Sequence, residues 1–116
     1  MRMLVDLQNS NENYKDKMII KENEIYTFKL ASGEEMVAKV IKISDQYIDI
    51  SEPVSIAPNQ QGLGMVPSLF TSEIAGEFKL NTNSVSMYAE TNDQIKVKYI
   101  EATTGIKIPE KKILVG

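Results

Sequence analysis

Two pairs of carboxylates have the type and spacing for acid–base chemistry or magnesium binding: Glu34 with Glu35, and Asp45 with Asp49. Such a pair needs burial or a defined cleft before one member changes its proton affinity enough to work. Both pairs stand in or beside turn sequences, Ser32-Gly33-Glu34-Glu35 and Ser44-Asp45-Gln46, so they read as exposed turn acids. Asp45 then has a structural task, because an Asp side chain in a turn accepts from the backbone two residues on. The chain has no histidine and no cysteine. The commonest general base, the commonest metal ligand and the thiol nucleophile are therefore missing together. Thr103-Thr104-Gly105-Ile106-Lys107 has a Gly and a Lys but lacks the upstream glycine and preceding strand of a phosphate-binding loop. The expectation is a protein without catalytic residues, metal or cofactor, not an enzyme.

The bulk properties narrow the class further. At 116 residues the chain suits one domain with a modest core. Its 13 basic and 16 acidic residues give a net charge of −3, against a general affinity for phosphates. Residues 24–56 are locally more acidic, with six acids against three lysines. The absence of cysteine suits a reducing cytosol. No apolar run approaches the roughly 20 residues that span a bilayer, and residues 1–7 are too short and polar for a signal peptide. A soluble cytoplasmic protein without membrane contact is expected.

The elements that must position any site are mostly strands. Ile25 to Leu30 alternates, with Tyr26, Phe28 and Leu30 on one face, and Ser32-Gly33 supplies a hairpin turn. Met36 to Ile43 forms a second strand. Tyr47 to Ile50 forms a third, with Ile48 and Ile50 opposite Tyr47 and Asp49. Pro53 has no N–H to give, so the ladder must kink there, with Val54 and Ile56 continuing the apolar face beyond the bend. Residues 58–67, with two Pro and two Gly, read as the start of a long 58–76 loop. A fourth strand is expected at 77–81 and a fifth near 85–89, joined by a turn of Asn-Thr-Asn-Ser composition. Residues 92–104 carry both a strand-like and a helical apolar pattern. Helix is the choice, because Asn92 or Asp93 can cap its start and Gly105 can end it. Residues 1–23 read as a partly mobile extension, 24–90 as the barrel, and 91–116 as the helix with an extended tail from Ile108-Pro109.

Residues 24–56, with a strand, a Gly turn, a long bent strand and Asp45-Gln46-Tyr47-Ile48-Asp49-Ile50, resemble the first motif of the Sm-like (LSm) family. Leu80-Asn81-Thr82-Asn83-Ser84-Val85 is a looser echo of its second motif. The chain is similar to the divergent Sm-like proteins of marine bacteriophages, cyanophages among them. Gly62 to Pro67 matches their insertion after strand three, and Tyr99 with Thr104-Gly105-Ile106 matches their segment after strand five. The departures are Asp49 in place of Asn, Asn81-Thr82 in place of Arg-Gly, and Ala38 in place of Gly. The stretch from Gly33 to Asp45 is also one residue longer than usual.

The resemblance implies an all-β fold, a small, strongly bent five-stranded open barrel, with a short C-terminal helix. It also implies a homo-oligomeric ring, in which strand four of one subunit pairs with strand five of the next. Exposed strand edges seek partners, and such head-to-tail contacts close by rotation. In the family the positions of Tyr47 and Asp49 face the pore, which implies single-stranded RNA binding by Tyr47, Asp49, Asn81 and Asn83. Tyr47 would stack on a base, or else pack on its neighbours from an outer strand face. Asp49 can accept from a base but not donate to one, and with no Arg at position 81 its opposing positive charge is missing. Asp49→Asn should then tighten RNA binding. The competing expectation is a structural or protein-interaction ring of phage origin, working through the 58–76 loop and the helix in the host cytoplasm.

Overall fold

The computed structural model describes residues 20–73 and 75–105. The expectations for residues 1–19 and for the tail beyond Gly105 lie outside the described residues. Six antiparallel strands form one open sheet: β1 (Ile25–Leu30), β2 (Glu35–Ile43), β3 (Tyr47–Asn59), β4 (Gly62–Pro67), β5 (Glu77–Asn81) and β6 (Val85–Glu90). A single helix, α1 (Asp93–Thr104), follows them among the described residues. The sheet order is β4-β3-β2-β1-β6, and β5 pairs with β3.

The strand count corrects the five-stranded expectation. β3 runs on to Asn59, and Gln60-Gln61 turns the chain into β4, where a loop was expected. Asn59 Oδ1 accepts from Gln61 N–H at 2.8 Å, and Gly62 takes a φ of 125°, which a side chain rarely allows. β2 occupies one edge of β3, so β4 and β5 lie end to end along the other.

The bend in β3 is a bulge. Val37 pairs with Val54 and Lys39 with Ser51, so Glu52 and Pro53 together face Ala38. Glu52 takes a left-handed φ of 51°. An extra residue bends its strand, so the curvature that a glycine in β2 would ease is made in β3 instead. It also inverts side-chain parity. Ile48 and Ile50 point to one face, whereas Val54 and Ile56 join Val37 on the other, which corrects the expectation of one continuous apolar face. A second bulge, at Ile41 between the pairs Val40–Ile50 and Lys42–Asp49, takes up an extra residue in β2.

The two faces bury separate clusters. Tyr26, Phe28, Met36, Ala38, Val40, Ile48 and Ile50 fill the concave side, with Leu30, Phe78, Leu80 and Val85 at its margin. Tyr26 and Tyr88 meet edge to face with centroids 6.3 Å apart. Ile20, from the segment expected to be an extension, also packs here.

On the convex side α1 covers Val37, Val54 and Met65 through Ile95, Tyr99 and Ile100. The helix begins and ends as the sequence predicts: Asn92 Oδ1 accepts from Ile95 N–H at 2.9 Å, and Gly105 closes it at a φ of 78°. Tyr99 reaches the bulge. Its hydroxyl lies 3.0 Å from the Ser51 carbonyl oxygen and 2.9 Å from that of Glu52, and it accepts from Lys39 N–H at 3.2 Å. Burial pushes the Tyr99 phenol well above the ordinary tyrosine range; the Lys39 N–H opposes this and the Glu52 charge adds to it. Among the described residues no helix is long and apolar enough to cross a membrane.

Candidate nucleic-acid interface

Two turns meet at one end of the sheet. The β2–β3 turn is closed by Ser44, whose N–H and hydroxyl both donate to the Tyr47 carbonyl, at 2.8 and 3.0 Å. The structure thus gives Ser44 the closing role expected of the Asp45 side chain. β5 and β6 are joined by a single 3-10 turn, Thr82–Ser84. Its start is capped by Asn81, whose Oδ1 accepts from Asn83 N–H at 2.8 Å, while Ser84 Oγ donates to the Asn81 carbonyl at 2.7 Å. Thr82 ties the turns together, its N–H and hydroxyl donating to the Gln46 carbonyl at 2.9 and 3.2 Å.

The register between β3 and β5 sets the interface. Ile48–Leu80 and Ile50–Phe78 face the core, so the alternate pairs Tyr47–Asn81 and Asp49–Lys79 share the opposite face. Tyr47 is 38% exposed, as a stacking platform needs. Asn81 stands directly across from it, and Asn83 lies exposed two residues further on. Of the four residues singled out in the sequence, Tyr47, Asp49 and Asn81 therefore share one face, and Asn83 stands exposed in the adjoining turn. Asn81 has part of its hydrogen-bonding capacity committed to the cap, and the structure gives Asn83 only a main-chain contact to that cap.

The charge balance of this surface differs from expectation. Lys79 Nζ lies 3.0 Å from Asp49 Oδ1, with the lysine side chain 68% exposed and the aspartate 20%. Lys42 stands opposite Asp49 in the β2–β3 register. The positive charge missing at position 81 is thus supplied two residues earlier on the same strand face. Lys79 was findable in principle, as the outward residue between inward Phe78 and Leu80. Its partner depends on a register across 30 residues of chain.

The members of each carboxylate pair have different surroundings. Glu34 accepts from the buried Ser55 hydroxyl, which also lies 3.0 Å from Ser68 Oγ, while Glu35 stands exposed on β2. Asp49 turns to Lys79 rather than to Asp45. Among the described residues no group of three or more Asp and Glu side chains could hold a metal ion. A cavity of about 140 Å³ opens elsewhere, between the β3 bulge, β4 and the end of α1, and involves none of these residues.

Compared with known proteins, the chain matches no protein-family model and no curated protein significantly.

Proposed function

We propose that this chain is a ring-forming Sm-like protein that binds single-stranded RNA on the surface carrying Tyr47, Asp49, Asn81 and Asn83. The observation that carries the reading is the tie between Thr82 and Gln46, which sets the exposed Tyr47 ring across from Asn81 at the meeting of two turns. The strand order supports it as well. β5 and β6, separated by one 3-10 turn, lie at opposite margins of a bent sheet, and their outer edges carry no strand among the described residues. In a ring, β5 of one subunit pairs with β6 of the next. The protein acts by holding its ligand, without a catalytic step, in the cytoplasm, or that of the host cell if a phage encodes it.

A second reading has its own support. Leu69 and Phe70, in the segment between β4 and β5, are 53% and 78% exposed, and Leu63 on β4 is exposed beside its free edge. Exposed apolar side chains gathered on one segment suit a protein partner, and the net charge of −3 suits one better than a polyanion. Under this reading the ring is a scaffold that binds no RNA.

Filter binding of short U-rich and A-rich RNAs at two salt concentrations separates the readings, with light scattering on the same sample. Saturable binding that weakens with salt, by a multimer of defined size, supports the first. A multimer that retains no RNA supports the second. A monomer at micromolar concentration removes the ring from both.

A further inference from the structure

We propose that Asp49 makes this surface select guanine over uracil in single-stranded RNA, an inference that rests on the RNA-binding reading above. Among the four residues of the surface, Asp49 alone carries a side chain that only accepts hydrogen bonds. Tyr47 can stack on any of the bases, because every base has a π-face.

An ionised carboxylate only accepts hydrogen bonds, and it has about four lone-pair positions on two oxygens. Lys79 occupies one of these, on Oδ1, and among the described residues nothing holds Oδ2. The pairing edge of guanine carries two neighbouring donors, N1–H and the N2 amino group, which match the two carboxylate oxygens. Adenine and cytosine each offer one amino donor beside a ring-nitrogen acceptor. Uracil offers one N–H flanked by two carbonyl oxygens, both of which would face the carboxylate unfavourably. A bidentate match of this kind discriminates by about tenfold or more.

The placement suits this chemistry. Tyr47 and Asp49 are alternate residues of β3 on one face, so their Cα atoms stand about 6.6 Å apart. A purine stacked on Tyr47 can then turn its pairing edge toward Asp49. Lys79 also removes the objection that a carboxylate repels the phosphate chain, since its ammonium lies against Asp49 and remains largely exposed. Asparagine at this position would donate and accept, and would accommodate uracil.

The test is fluorescence anisotropy with labelled oligomers of equal length: oligouridylate, oligoadenylate, alternating UG, and alternating U and inosine, which lacks the N2 amino group. Alternating UG should bind about tenfold tighter than oligouridylate, and inosine should lose much of that gain. Asp49→Asn should abolish the preference and tighten oligouridylate binding; Asp49→Ala should abolish it without that tightening. Thermal unfolding by circular dichroism verifies both variants, and if either fails to fold, the comparison of UG with UI on the native protein decides. Measurable binding with equal or greater affinity for oligouridylate overturns guanine selection and leaves RNA binding standing. No binding of any oligomer overturns the RNA reading and this inference with it.

Discussion

The Tyr99 hydroxyl lies 2.9 Å from the main-chain oxygen of Glu52, the bulge residue that holds a left-handed φ of 51°. A helix side chain thereby satisfies the backbone where the sheet ladder is interrupted. The same oxygen accepts from Lys39 N–H and lies 3.0 Å from the Ser51 carbonyl oxygen, so one phenol joins main-chain groups of β2 to the bulge in β3.

Tyr99→Phe removes that hydroxyl and keeps the ring. Leaving buried backbone groups unpaired costs about 1–3 kcal/mol, which should appear as a lower urea midpoint at unchanged slope. A loss below about 0.5 kcal/mol would mean that water or a local shift replaces the phenol without cost.

Burial raises the Tyr99 phenol above its ordinary range, so the folded state holds this proton more tightly than the unfolded chain does. The associated stability is fully present below about pH 10, where the unfolded tyrosine begins to ionise. It is lost as pH rises from there toward the folded value, at up to about 1.4 kcal/mol per pH unit. Other tyrosines and lysines titrate nearby, so the quantity to measure is the difference between the native protein and Tyr99→Phe. The gap in unfolding free energy should narrow above about pH 10; parallel curves would contradict the assignment.

Position 52 should tolerate glycine better than a branched residue. A left-handed conformation costs an L-residue roughly 1–2 kcal/mol, and glycine escapes most of that cost. Glu52→Gly should stay within about 1 kcal/mol of the native protein, whereas Glu52→Val should lose more than the glycine variant. Equal stability of the two variants would show that the bulge relaxes when the side chain changes.

Tyr47→Ala should leave the fold intact, because the ring lies outside both buried clusters. RNA affinity should fall by about 1–3 kcal/mol per stacked base in the same filter assay. Unchanged affinity in a protein that does bind RNA would move the stacking platform elsewhere.

The strands and the helix were legible where side-chain chemistry acts locally. Alternation through Tyr26, Phe28 and Leu30 marks β1, Gly33 marks its turn, and Asn92 with Gly105 brackets α1. β4 was not legible, because Gly62-Leu63-Gly64-Met65 has loop composition and becomes a strand only by pairing with the far half of β3. Pro53 announced a kink, but not the change of face beyond it, which depends on how many residues the partner strand spends opposite the bulge. For the interface, Tyr47 and Asp49 could be placed on one face from alternation alone. Their neighbours Lys79 and Asn81 required a register that only tertiary packing sets, and the capping role of Asn81 follows from a 3-10 turn that its sequence barely distinguishes from an ordinary one.

Apolar packing alone would let α1 settle at more than one height on the convex face, since hydrophobic contact is non-directional. The phenol does not permit that. Sliding the helix by one turn would carry the Tyr99 oxygen about 5.4 Å, out of reach of the atoms it serves in β2 and β3. Helix position and sheet curvature are thereby mechanically linked, with the bulge as the fulcrum.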